Sequence, residues 1–207
     1  MNAFTSAFSA ARDPWRSAAA AAVLLALTAG AAPVAHAADG PPCPALLKRQ
    51  ALRLQDERPQ DLCQYAGKVV VVVNTASFCG YTPQYQALET LHKRYQARGL
   101  VVLGFPSNDF GAQEPGSNRE IAAFCENTFG VKFPMFVKTR VAPGGGTVDP
   151  LFAELRQRTG QAPAWNFHKY LIARDGQQVE SFPSETSPLD ARFVTRVEKM
   201  LDQPTPK

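Results

Sequence analysis

The sequence has no dense block of Lys or Arg. Its net charge of +4 over 207 residues is mild and spread along the chain, whereas a nucleic-acid surface needs clustered positive charge. It has no internal repeat, and no low-complexity tract beyond an alanine-rich beginning. Past that beginning, no stretch is apolar for long enough to cross a bilayer, which takes roughly 20 residues. Histidine is scarce. Of the three, His92 and His168 have no ligand spacing with Cys43 or Cys63, so the case for a zinc site is weak. Cysteine is limited to Cys43, Cys63, Cys79 and Cys125. In Cys79-Gly80-Tyr81-Thr82 the second cysteine of a redox Cys-x-x-Cys motif is replaced by threonine.

What is present begins with an export pattern. Arg12 and Arg16 precede an apolar run from Ala18 to Ala29, and Ala35-His36-Ala37 supplies small residues for a signal peptidase. The apolar run is too short to span a bilayer stably. The expectation is a signal peptide over 1–37, cut after Ala37, and a periplasmic or secreted domain over 38–207. That length buries a core without staples.

Val69 to Val73 is an unbroken β-branched run, the mark of a strand buried on both faces. Leu100 to Phe105 reads as a second buried strand and Phe133 to Val137 as a short third. A small hairpin is expected within 46–68, bounded by Arg58-Pro59 and Gly67. Thr82-Pro83 opens a helix carrying Leu88, Leu91 and Tyr95. Further helices are expected from a cap at Asn118 to about Phe129, from Asp149-Pro150 to Arg158, and from Leu189 to Leu201. Asp175-Gly176 centres a hairpin between 165–173 and 178–182. Strands alternating with helices imply a mostly parallel sheet covered on both faces. The element order is that of an α/β thioredoxin-like fold: a central mixed sheet flanked by helices, with an N-terminal β-hairpin.

A turn between a buried strand and a helix places its residues at the helix N-terminus, where backbone N–H groups and the positive dipole end favour an anion. Cys79 lies in such a turn. A thiolate there attacks the O–O bond of a peroxide and becomes a sulfenic acid. With Thr82 at the fourth position, that product has no neighbouring thiol to resolve it. This favours a peroxidase over an ordinary disulfide oxidoreductase.

Three ordered motifs then carry a family resemblance. Asn74-Thr75-Ala76-Ser77-Phe78-Cys79-Gly80-Tyr81-Thr82, Leu103-Gly104-Phe105-Pro106-Ser107-Asn108-Asp109-Phe110 running on to Gln113-Glu114-Pro115-Gly116, and Trp165-Asn166-Phe167-His168-Lys169 resemble the glutathione peroxidase family over about residues 45–201. The resemblance implies a thiol peroxidase that reduces hydrogen peroxide and organic or lipid hydroperoxides. Cys79 is then the attacking residue, with Gln113, Trp165 and Asn166 as its polar partners. Their amide and indole N–H groups are neutral donors that orient peroxide without titrating. Asp109 departs from the glutamine common at its position.

In relatives that use thioredoxin, a cysteine in the segment around Cys125 resolves the sulfenic acid. Cys125 is therefore the expected resolving residue. Its helix must unwind locally for the Cα atoms to come within about 7 Å. The linker from Thr159 to Ala164 is short, whereas tetrameric glutathione-using relatives carry extra sequence before Trp-Asn-Phe. A monomer, reset by a thioredoxin-like protein rather than glutathione, is expected. No cofactor is expected beyond that thiol cosubstrate.

Four cysteines in an exported chain allow three pairings of two disulfides. With Cys79 and Cys125 given to chemistry, Cys43 and Cys63 remain as a structural disulfide pinning the N-terminal segment. Two rival functions use the same Cys79: a thiol-based redox sensor and a disulfide exchange protein of thioredoxin type.

Overall fold

A computed structural model describes residues 40–207; the expected signal peptide and its cut after Ala37 lie outside them. The chain first makes two short 3-10 turns, Ala45–Leu47 and Leu62–Tyr65, around an antiparallel hairpin of β1 (Gln50–Leu52) and β2 (Pro59–Asp61). Cys43 and Cys63 are joined in a disulfide across this segment, with Cα atoms 5.2 Å apart. The disulfide ties the first turn to the second.

The valine run forms β3 (Val69–Thr75), followed by α1 (Gln84–Tyr95) and β4 (Leu100–Pro106). A short 3-10 turn over Gln96–Arg98 ends at Gly99, whose φ of 97° is the left-handed conformation that glycine adopts without strain. Then come α2 (Asn118–Phe129), α3 (Pro150–Thr159), the hairpin of β5 (Lys169–Ile172) and β6 (Val179–Phe182), and α4 (Ala191–Leu201). The sheet order is β4-β3-β5-β6. Only β3 and β4 run parallel; β5 is antiparallel to both its neighbours. The sheet is therefore mixed, as expected: the tight Asp175-Gly176 turn returns the chain antiparallel beside β5 instead of crossing over.

Successive side chains of a strand point to opposite faces. In β3, Val69, Val71 and Val73 pack with Tyr85, Leu88 and Leu91 of α1, with Ile121 and Cys125 of α2, and with Phe193 and Val197 of α4. Val70 and Val72 pack on the other face with Leu151, Phe152 and Leu155 of α3 and with Leu46, Leu47 and Leu62. Both faces are thus covered, which is why β3 reads as a continuous apolar run. The third strand expected over 133–137 is reduced to a single parallel bridge between Met135 and Gly104 and an antiparallel one between Phe136 and Arg53. Pro134 supplies no N–H, so a ladder cannot extend through it.

Candidate active site

The polar end of β3 positions the nucleophile. After Thr75 the chain turns before entering α1, and Thr82 fastens that turn. Its hydroxyl donates to the Ala76 carbonyl at 2.9 Å and accepts the Cys79 N–H at 3.0 Å. This side chain was expected to cap the helix; it binds the turn instead, and α1 begins at Gln84. Cys79 is half-buried with a free thiol, and the Tyr81 N–H reaches its sulfur at 3.4 Å.

The second motif is pinned one residue away. The Gln113 carbonyl accepts the Phe78 N–H at 3.0 Å. Gln113 is half-buried and Asn166 fully buried, and the Asn166 Nδ2 donates to Gln113 Oε1 at 2.9 Å. Trp165 is 39% exposed and lies against Phe110, ring centres 5.8 Å apart. Gly111 has a left-handed φ of 64°, and a Cβ there would sit 3.5 Å from both Gln113 and Trp165. Gln113, Trp165 and Asn166 therefore come together around the Phe110-Gly111 turn, tied to the nucleophile turn through Phe78. Asp109 faces elsewhere: its carboxylate accepts the Val141 and Ala142 N–H groups at 2.6 and 2.8 Å.

Cys125 is not beside Cys79 in a bond; both are free thiols. Cys125 is 2% exposed within α2, and burial pushes its thiol up to about 11, with the Glu114 carboxyl adding to the effect. Of the α2 side chains only Ile121 and Cys125 are fully buried, while Ala122, Phe124 and Phe129 pack half-buried against the same core. Its first turn is capped by Ser117, one residue before the Asn118 expected, in a reciprocal pair with Glu120. A cavity of about 270 Å³ separates α2 from the nucleophile turn, lined by Ser77, Phe78, Glu114, Ile121 and Phe124 among others. Phe78 is 67% exposed, its ring 6.4 Å from that of Phe124.

Four buried residues at the site were given no role from sequence. Asn74 donates its Nδ2 to the Trp165 carbonyl at 3.1 Å and offers its own carbonyl to the Phe167 N–H at 2.6 Å. Glu114 has a buried carboxyl beside Ser77 with neither oxygen hydrogen-bonded, and burial pushes it up to about 7. His168 pairs its Nε2 with Ser181 Oγ at 2.7 Å, and burial pushes it down to about 4. Lys169 is fully buried in β5 and is pushed down to about 7 by the same cause. The signal was present for Asn74 and Lys169: each is a polar residue directly beside the apolar run of its strand. Among the described residues, no three His, Cys, Asp or Glu side chains converge as metal ligands would.

The family profile described as glutathione peroxidase matches residues 47–156. The chain is 46% identical over 138 residues to the glutathione peroxidase-like peroxiredoxin gpx1 of Schizosaccharomyces pombe, covering 65% of this chain and 86% of that protein. It is 42% identical over 159 residues to the hydroperoxy fatty acid reductase gpx1 of Synechocystis sp., covering 70% and 90%. Among solved structures it is similar to that of Trgpx in apo form, at 31% identity and a TM-score of 0.61, covering 78% of this chain and 97% of that one. The fold is thioredoxin-like. The chain belongs to the glutathione peroxidase family, and it is a thiol peroxidase, an oxidoreductase that takes a peroxide as acceptor and a thiol as donor.

Proposed function

We propose that Cys79 is the nucleophile of this peroxidase and that Gln113, Trp165 and Asn166 orient the peroxide. The observation that carries the reading is the pinning of Gln113 to the nucleophile turn through the Phe78 N–H, with Asn166 holding its amide. The Cys79 thiolate attacks one peroxide oxygen, the O–O bond breaks, and the second oxygen leaves as water or an alcohol after taking a proton. Cys79 is left as a sulfenic acid.

Cys125 then attacks the Cys79 sulfur, a disulfide forms, and hydroxide leaves as water with the thiol proton. α2 unwinds for this step; that only Ile121 and Cys125 of its side chains are fully buried supports the opening. A thioredoxin-like dithiol protein reduces the Cys79–Cys125 disulfide and resets the enzyme, with glutathione the weaker donor. The protein acts as a monomer, without a cofactor, after export and cleavage behind Ala37. The Cys43–Cys63 disulfide supports an oxidising compartment. Substrates extend from hydrogen peroxide to organic and lipid hydroperoxides, a range the name of the Synechocystis relative supports.

The deciding experiment is steady-state peroxide turnover of wild type and Cys125→Ser with a thioredoxin-like protein or glutathione as donor. The expected result is fast turnover with the protein donor, lost in Cys125→Ser. Full turnover by that variant with the protein donor ends the resolving role, and failure of wild type to turn over peroxide with either donor ends the reading.

A further inference from the structure

A fully buried ammonium needs a reason, since burial favours the neutral amine. Lys169 Nζ donates to the Phe167 carbonyl at 2.5 Å, to Gln84 Oε1 at 2.8 Å and to the Ser184 carbonyl at 3.4 Å. Three acceptors match the three N–H donors of a charged lysine, and no donor faces it. These acceptors come from three places: the Trp165-Asn166-Phe167 segment, the first residue of α1, and the chain after β6.

Phe167 is the strained member of its segment. It is a non-glycine residue with φ of 62°, a left-handed conformation that persists only when its surroundings hold it. Two residues hold the backbone here. The Asn74 side-chain amide donates to the Trp165 carbonyl, the Asn74 backbone carbonyl accepts the Phe167 N–H, and the Lys169 side chain donates to the Phe167 carbonyl. The turn at Phe167 sends the chain into β5 while leaving Asn166 buried against Gln113 and Trp165 at the surface.

We propose that Lys169 is a positioning residue for peroxide reduction: its ammonium locks the Phe167 turn and so fixes Trp165 and Asn166 against Gln113. It touches neither the nucleophile nor substrate and acts through the Phe167 peptide. The inference rests on the peroxide-orienting role given above to Trp165, Asn166 and Gln113.

The test uses the full chain in a Trp15→Phe background, which leaves Trp165 as the only tryptophan. Lys169→Met keeps the length of the side chain and removes the donors. The expected result is at least a tenfold fall in the second-order rate constant for the reduced protein with hydrogen peroxide. The Trp165 fluorescence anisotropy is expected to gain a fast decay component, with the cooperative thermal transition retained. A rate within twofold of wild type in the folded variant overturns the proposal. So does a slowed rate with Trp165 as rigid as before, because the loss would not then run through the segment. If Lys169→Met does not fold, Gln84→Met removes one acceptor and is read by the same two measures. A fall of about threefold with added Trp165 motion supports the clamp, and no change in either overturns it. Asn166→Ala run in parallel separates the two layers. An unchanged rate there overturns the orienting role and the clamp together. A slowed Asn166→Ala beside an unaffected Lys169→Met overturns the clamp alone.

Discussion

Asn166 donates its side-chain amide to Gln113 Oε1 across 2.9 Å. The bond decides which way the Gln113 amide faces: its oxygen is occupied, so its own NH₂ is the end left for another acceptor. Neither amide titrates, so the arrangement persists across pH. A carboxylate at 166 reverses it, because it accepts only and repels Gln113 Oε1.

Asn166→Ala is expected to slow the reaction of reduced protein with peroxide roughly tenfold, the worth of one hydrogen bond. Asn166→Asp is expected to slow it further at neutral pH. Cys79→Ser leaves only the background reaction. Stopped-flow measurement of the second-order rate constant checks all three, and a faster Asp than Ala variant contradicts the orientation argument.

Cys125→Ser is expected to leave the peroxide step within twofold of wild type and to accumulate the Cys79 sulfenic acid. Trapping with a sulfenic-acid reagent, followed by intact-mass measurement, reads the product directly. Wild type treated the same way shows loss of two protons and a Cys79–Cys125 peptide link. Burial keeps the Cys125 thiol protonated near neutral pH, so peroxide does not oxidise it ahead of Cys79.

Two buried groups titrate in opposite senses over one pH window. The His168 imidazole is pushed down to about 4 from 6.5, so its contribution to stability is present above pH 6.5 and lost as pH falls through 4. Glu114 is pushed up to about 7 from 4.5, so its contribution is present below pH 4.5 and lost as pH rises through 7. Each is worth about 3 kcal/mol at full span, and the two cancel in wild type between roughly pH 4.5 and 6.5. His168→Gln is therefore expected to become more stable on acidification from pH 7 to 4.5, and Glu114→Gln less stable. Urea unfolding at the two pH values measures both slopes; parallel slopes in the two variants refute the assignment.

Much of this site was legible because its chemistry sits in local strings. The valine run gave β3 and the apolar 100–105 stretch gave β4, since burial on both faces leaves no room for polar residues. Cys79, Gln113, Trp165 and Asn166 were found by motif, and their convergence needed only the strand order. What could not be read is non-local. Thr82 looked like a helix cap, yet its hydroxyl is spent on Ala76 and Cys79. Met135 looked like mid-strand, but Pro134 breaks the ladder beside it. The buried states of Glu114 and Lys169 depend on distant parts of the chain: the nucleophile turn at Ser77 and Phe78 beside one, and Gln84 at the start of α1 beside the other.

The Cys43–Cys63 disulfide is expected to contribute about 3 kcal/mol, from a closed loop of about 20 residues. Cys43→Ser with Cys63→Ser should lower the unfolding free energy by that amount. The peroxide rate constant should stay unchanged, because the bond lies in the N-terminal segment. A fall in rate at full folding contradicts this separation.

Gly104→Ala probes the close approach of β4 to the Met135 bridge. A Cβ at 104 would overlap the Met135 sulfur and crowd Phe133, both buried in the core. Overpacking of this kind costs about 1–3 kcal/mol. Thermal unfolding should show a lower midpoint, and an unchanged midpoint means that Met135 finds another rotamer.

Thr82 has one further consequence. A dithiol motif keeps two reducing equivalents in a single turn, so it can be oxidised without altering its outline. Here the turn keeps one thiol, fastened by Thr82, and the second sits under the surface of α2. In the proposed cycle the electron store is divided between two elements, and filling or emptying it requires one of them to move. Oxidised and reduced protein then differ in shape as well as in charge, so a donor protein can sort spent molecules from fresh ones by contact, before any electrons pass.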